Sequence, residues 1–489
     1  MRTMKKIKEF FSFVKEQPVF FCFLFIFILY FLPTLIQVEF NHELHITRFY
    51  LGLPGVLSGD EPHYFVTTTS LINDHDYYIE NNYDNAYYYG KCDVSFHYIN
   101  NTNPLIGRHI QLVDPEKQVI IPMYVNRTYE GNVTKLYQDF NVTTLSQVSN
   151  RPIGLPFFSA FFLWPFKNTC FIEHGAIYLS LLISFIGVIF FYLIALFYLK
   201  KYSTMKDITE QVYIALIFTL LFALCTQYWH YSKTYFTEPY LASFILIAYY
   251  FTFVKDNDFV AGFVLALGFS MKYSFGMYLF LFSIILLFQR FWKRTMIFML
   301  GSIIPILGVF YYNWLLSGNI LHFGQGEFLA FGNYLYGVYV WLFDPIFGLL
   351  PAAPFLIFSV YGFIVLYSFD KKLFFQFAVL TIPYFLFWTS YLVTQNGAGG
   401  YSSRYLVPLL SFFVLLCLFW YMSNRTNTCN KSKVFFWLFV LLALYSFFIN
   451  IQAAFLYPLF WNNPPWIVLT FLWTKFTRIK EIIFISLFS

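Results

Sequence analysis

Long apolar runs, separated by short basic turns, set the organisation of this chain. The runs at 19–37, 175–199, 212–228 and 434–455 each approach or exceed the roughly 20 residues that carry a helix across a bilayer. None alternates polar and apolar positions, so the pattern predicts helices and not the strands of a membrane barrel. With the third run widened to 211–229, further spans are predicted near 239–254, 259–271, 274–289, 295–315, 346–369, 373–394, 404–421 and, on a shorter run, 464–474. The predicted fold class is an all-α polytopic membrane protein: a bundle of about 11–12 transmembrane helices with one large, mixed first extracytoplasmic loop.

Five segments follow from this. Residues 1–18 form a basic, amphipathic segment at the cytoplasmic surface, and 19–37 the first transmembrane helix. That run exceeds a signal-peptide core and lacks a small-residue cleavage site, so it is expected to stay in the membrane. Residues 38–174 make the extracytoplasmic loop, 175–480 hold helices 2–12 with short connections, and 481–489 form a tail.

Composition agrees with the pattern. Hydrophobic residues make up 59% and charged residues 11%, whereas soluble domains are about 25% charged. The 68 phenylalanines and 40 tyrosines need no stacking ligand: Phe serves as a lipid-facing residue and Tyr collects at interfaces. The net charge of +6 is spread over short loops, which excludes a nucleic-acid footprint.

Charge also sets the orientation. Of 31 Lys and Arg residues, 20 fall on the proposed cytoplasmic side and eight in the long loop, leaving Lys233, Lys272 and Arg404 for the short outer connections. All nine histidines fall outside, so polar chemistry is expected there. The inner turns carry no glycine-rich phosphate loop. Cys92 and Cys170 share the outer loop, where a disulfide is chemically permitted and free thiols are the ordinary alternative.

The candidate site lies in that loop. Asp60 and Glu61 precede Pro62 and the run HYFVTTTSLIND, which predicts an interfacial helix with Pro in its first turn and acids at its positive end. Asp60 is then either a helix cap or a general base raised in proton affinity by partial desolvation. Asp60, Glu61 and His63 together would suit a divalent metal, although successive acids diverge on a helix and no HExxH-like spacing occurs. QVIIPMYV reads as a strand, and RPIGLPFFSAFFLWPF as a re-entrant or interfacial helix broken by prolines. Glu238 and Glu327 can pair with the outer cations, and 397–400 would let backbone approach a ligand closely.

GDEPHYF at 59–65, SLINDHDYYIENNY at 70–83 and RPIGLPFF at 151–158 resemble the first-loop pattern of bacterial glycosyltransferases of the GT-C superfamily, related to protein O-mannosyltransferases and the lipid A aminoarabinose transferase. The resemblance continues in order through YSKTYFTEPYLAS, AGFVLALGFSMKYSFGMYL, NWLLSGNILHFGQG, WLFDPIFGLLPAAPFLIFSVYG and GAGGYSSRYLVPLL. It implies a GT-C-like fold and an inverting transfer from a polyprenyl-phosphate-linked sugar to a lipid, glycan or protein, outside the cytoplasm. It also implies Asp60 and Glu61 as catalytic, with Lys272 and Arg404 on the donor phosphate. Lys233 joins them as a third outer cation, with His63, Tyr64, Glu238 and Tyr405 in support. Two departures stand out: Ser402 and Ser403 precede Arg404 where the family often has Gly-Pro, and no large soluble domain follows the last helices. The competing classes are a transporter or flippase of lipid-linked sugars, expected to hold charges at mid-membrane and to show repeats, and a non-catalytic assembly partner. No cofactor is required by the residues, with a divalent metal as the alternative.

Overall fold

A backbone surrounded by lipid must satisfy its own N–H and C=O groups, and apolar runs therefore become helices. The computed structural model describes residues 17–41, 46–51, 61–79, 110–114, 116–117, 119–121, 146–149, 151–167, 169, 171–321, 332–391, 403–425 and 430–455. The chain opens with α1 (Pro18–Phe31), the hairpin β1 (Ile36–Asn41) and β2 (Ile46–Leu51), and α2 (Glu61–Asn73). Three short strands follow, β3 (Ile110–Asp114), β4 (Val119–Ile121) and β5 (Ser146–Ser149), then α3 (Gly154–Leu163), α4 (Phe171–Tyr202) and α5 (Ile208–Leu224). Next come the one-turn α6 (Tyr228–Tyr231), α7 (Thr237–Phe253), α8 (Asp258–Met271), α9 (Gly276–Phe288) and α10 (Trp292–Ser317). The remainder is α11 (Tyr334–Leu342), the short α12 (Leu349–Ala352), α13 (Phe358–Phe369), α14 (Lys371–Ser390), α15 (Leu410–Arg425) and α16 (Asn430–Phe455).

The protein is mostly helical. Among the described residues, six helical stretches are long and apolar enough to cross a membrane: 18–35, 171–202, 292–317, 371–390, 404–425 and 430–455. Shorter apolar helices fill the intervals. On α10, Ile304, Leu307 and Tyr311 are each more than half exposed along one face. Such a stripe is costly in water and ordinary against lipid.

The chain divides into two compact units. The first comprises residues 1–52, 191–232 and 329–489, the second 53–190 and 233–328. In the second unit, α8 and α10 meet through a reciprocal glycine contact. A Cβ on Gly262 would meet the carbonyl oxygen of Phe298, and one on Gly301 that of Phe259, so only glycine lets these backbones approach. Ser302 Oγ donates to the Gly262 carbonyl at 3.1 Å. At one end Arg294 clamps three elements: its Nε and Nη2 donate to Asp258 at 2.7 and 2.9 Å, its Nη1 pairs with Asp256 at 2.7 Å, and Nη2 also reaches the Thr252 carbonyl. The strands form an antiparallel sheet ordered β4-β3-β5. Val148 of β5 packs with Tyr312 and Leu316 of α10 and with Tyr77 and Tyr78 beyond α2, which anchors α2 over that helix end.

In the first unit, freed backbone groups find side-chain partners. Helix α5 stops at Leu224 and the 346–369 run is broken, and Asn450 of α16 donates to the carbonyls of both Cys225 (3.3 Å) and Ala352 (3.0 Å). Tyr30 of α1 donates to the Ala223 carbonyl at 3.0 Å. Helix α15 is the most enclosed of the six spans and α1 the least.

Several boundaries correct the sequence reading. The 346–369 span is three pieces, α12, a 3-10 turn at Pro354–Ile357 and α13, because Pro351 and Pro354 lack the amide hydrogens a continuous helix needs. The 404–421 span starts as a 3-10 turn at Arg404–Leu409, with Pro408 inside it. The 211–229 span ends early at Leu224, and 19–37 passes into a 3-10 turn at Leu32–Leu35. Helix α11, capped by Asn333 through the amides of Leu335 and Tyr336, was not expected. Residues 1–16, the 464–474 run and the 481–489 tail lie outside the described residues, as do Cys92, Cys170 and Glu327.

Candidate active site

The candidate site is built on α2 in the second unit. Pro62 occupies the first turn, where a missing amide costs nothing, and Glu61 opens the helix at its positive end. Asp60 lies outside the described residues, immediately before Glu61 in the chain. Glu61 is 1% exposed. Its Oε1 accepts a hydrogen bond from the backbone N–H of Tyr235 at 2.6 Å, across 174 residues of sequence.

Lys233 sits two residues before that amide. The residue keeps some exposure, but its amine is desolvated: burial pushes the Lys233 pKa down to about 7, and the facing Glu61 carboxylate opposes part of that shift. The Tyr235 hydroxyl shares a 3.0 Å hydrogen bond with Thr68 Oγ1 of α2, so the connection before α7 is fastened to α2 through both backbone and side chain. Burial raises the Tyr235 phenol above its ordinary range, which keeps it protonated as a donor.

A second pair lies beside this connection. Glu238, in the first turn of α7 and almost wholly buried, accepts from Lys272 Nζ at 2.8 Å. Lys272 caps the C-terminal end of α8, where a cation also meets the negative end of the helix dipole. The start of α3 closes against the same end of α8: a Cβ on Gly154 would collide with the backbone of Ser270. The motif segments 61–65, 151–158, 233–243 and 261–279 thus converge within the second unit, with the facing Glu61 and Lys233 and the Glu238–Lys272 ion pair among them.

The other nominated residues divide. Tyr64 is buried on α2 and His63 is half-buried. Arg404 and Tyr405 belong to the first unit. There the Arg404 guanidinium lies 4.7 Å from the Tyr405 ring centroid, and Nη2 donates to the Tyr405 hydroxyl at 2.7 Å. Tyr405 stacks on Trp388 at 4.3 Å, and Trp388 offers its carbonyl to Trp341 Nε1 at 3.1 Å. Arg404 is therefore a buried, stacked guanidinium and not a side chain reaching freely into water.

Among the described residues no three His, Cys, Asp or Glu side chains are grouped to hold a metal ion. Glu61 already faces a lysine, a poor neighbour for a divalent cation. Tyr235 was the residue that sequence reasoning missed. It lies inside a quoted motif, but nothing local distinguishes a tyrosine whose amide holds a remote carboxylate.

In comparisons with known proteins, no family model, no curated protein and no solved structure matches this chain.

Proposed function

We propose that this chain is a membrane glycosyltransferase that moves a sugar from a polyprenyl-phosphate-linked donor to a lipid, glycan or protein acceptor, with inversion, on the extracytoplasmic face of a cell membrane. A GT-C-like bundle with a large first loop is part of the same proposal. The observation that supports it best is the meeting of four separate motif segments around the Glu61–Lys233 and Glu238–Lys272 pairs.

In this reading Asp60 takes the proton of the acceptor hydroxyl as that oxygen bonds to the anomeric carbon. The bond from the anomeric carbon to phosphate oxygen breaks, and its electron pair leaves with the polyprenyl phosphate. Lys233 and Lys272 supply positive charge for that leaving group, and the motif resemblance implies Arg404 as a further phosphate contact. Glu61 acts as a positioning residue: its bond to Tyr235 N ties α2, and with it Asp60, to the connection that carries Lys233.

Mass spectrometry of envelope lipids and glycans from cells lacking the chain tests this reading. One sugar modification should disappear, return with the wild-type chain, and fail to return with Asp60→Asn. Restoration by Asp60→Asn and Glu61→Gln alike would overturn the catalytic assignment. Loss on deletion with full restoration by both variants would instead fit the transporter or flippase.

A further inference from the structure

The first unit holds a cavity that the proposed transfer does not use. It measures about 420 Å³ and is walled by the C-terminal ends of α4, α13 and α15, within the size range of small-ligand pockets. Positive-inside charge places this end of the unit at the cytoplasmic surface.

Its lining has two chemistries. Tyr361, Ile364, Val365 and Ser368 follow one another at i, i+3, i+4 and i+7 and form one face of α13. Tyr361 and Ile364 are at least half exposed, so the apolar part of the cavity opens sideways toward lipid. The other part is polar, with Ser203, Thr204 and Arg425 at the rim.

The rim is cationic when every adjoining element is included. Lys200 and Lys201 end α4, Lys206 precedes α5, Lys371 and Lys372 open α14, and Arg425 ends α15. Against these six stand Asp207, Glu210 and Asp370. Asp207 caps α5 through the Thr209 amide, Asp370 accepts from Lys372 N, Leu373 N and the Tyr202 hydroxyl, and Glu210 pairs with Arg425 at 2.5 Å. A surplus of three cations remains. Three helix C-termini, roughly half a negative charge each, offset only part of it, because the N-termini of α5 and α14 lie at the same rim.

We propose that this cavity binds an anionic phospholipid, with the phosphodiester at the hydroxyl-rich cationic rim and one acyl chain along Tyr361 and Ile364. A soluble phosphate would use the rim and leave the apolar face uncovered. A zwitterionic lipid would cover that face and gain little from the surplus charge. The inner leaflet supplies anionic lipid at this depth.

The test is native mass spectrometry of the delipidated full-length chain, titrated with phosphatidylglycerol or phosphatidylcholine of identical acyl chains. Separate arms use glycerol phosphate and inorganic phosphate as competitors. Phosphatidylglycerol should be retained at one site with at least about tenfold preference over phosphatidylcholine. Neither soluble phosphate should displace it. Ser368→Trp, which fills the cavity from an exposed position, should abolish the preference. Lys200→Gln combined with Lys206→Gln, which removes two exposed cations from the rim surplus, should reduce it about tenfold. Equal retention of the two lipids, displacement by glycerol phosphate, or unchanged preference in both folded variants would overturn the proposal.

Discussion

Replacing Glu61 by alanine removes the acceptor of a 2.6 Å hydrogen bond and the counter-charge of a desolvated amine in one step. The Tyr235 amide would be left buried without its acceptor, a loss of about 1–3 kcal/mol. Losing an acid from the first turn of α2 adds about 0.3–1 kcal/mol. Breaking a buried charge pair can cost about 3–5 kcal/mol, but Lys233 limits that cost because it can shed its proton near pH 7. The expected destabilisation is therefore about 3–5 kcal/mol in total. Glu61→Gln keeps an oxygen for the Tyr235 amide and loses only the charge, so about 1–2 kcal/mol is expected. Lys233→Met added to Glu61→Gln should recover most of that smaller loss, since no uncompensated charge remains. Thermal unfolding of the purified protein in one detergent at pH 7 gives the order: wild type and the double variant highest, Glu61→Gln below, Glu61→Ala lowest. A Glu61→Ala protein that melts with wild type would refute the reasoning. So would a double-mutant cycle with no coupling between positions 61 and 233.

Lys233 also sets a pH dependence. Its folded pKa of about 7 lies below the ordinary 10.5, so between these values the unfolded chain binds more protons and stability rises with pH. Lys233→Met should flatten that rise in melting temperature measured from pH 7 to 10. For the proposed transfer, a donor phosphate favours the ammonium form, so donor affinity should fall as pH rises above 7, by up to about tenfold per unit; a pH-independent dissociation constant would exclude Lys233 from donor binding. Arg404→Ala should weaken donor binding by roughly ten- to a hundredfold, and Arg404→Lys should not fully rescue it, because a point charge replaces a stacked planar fork; titration of both variants with the lipid-linked donor checks this. Gly262→Val should separate α8 from α10 and sharply lower the yield of folded protein by size-exclusion chromatography, since its Cβ would meet the Phe298 carbonyl. Asn81→Cys and Asn396→Cys should react with a membrane-impermeant thiol reagent in intact cells while Lys201→Cys and Lys431→Cys stay protected, which checks the orientation.

The helices themselves were legible in the amino-acid order, because lipid acts as a solvent that reads each apolar run separately. That is why α4, α10, α14 and α16 fall close to their expected bounds, whereas the start of α2 was marked by Pro62 and the acids beside it. Prolines 351 and 354 were equally visible, yet how a helix breaks around prolines depends on donors for the carbonyls left open at the break, and at Ala352 that donor is Asn450, 98 residues further on. The charges were the hardest to read. The sequence marked Lys233 as one of three outer cations but gave no sign of its desolvation, and Tyr235 looked like an ordinary interfacial ring. Desolvation of the one and the role of the other arise only when α2 packs beneath a connection 174 residues away. Electrostatic partnership at that distance is a property of packing, since burial sets both the cost of a charge and the strength of its interaction with a neighbour.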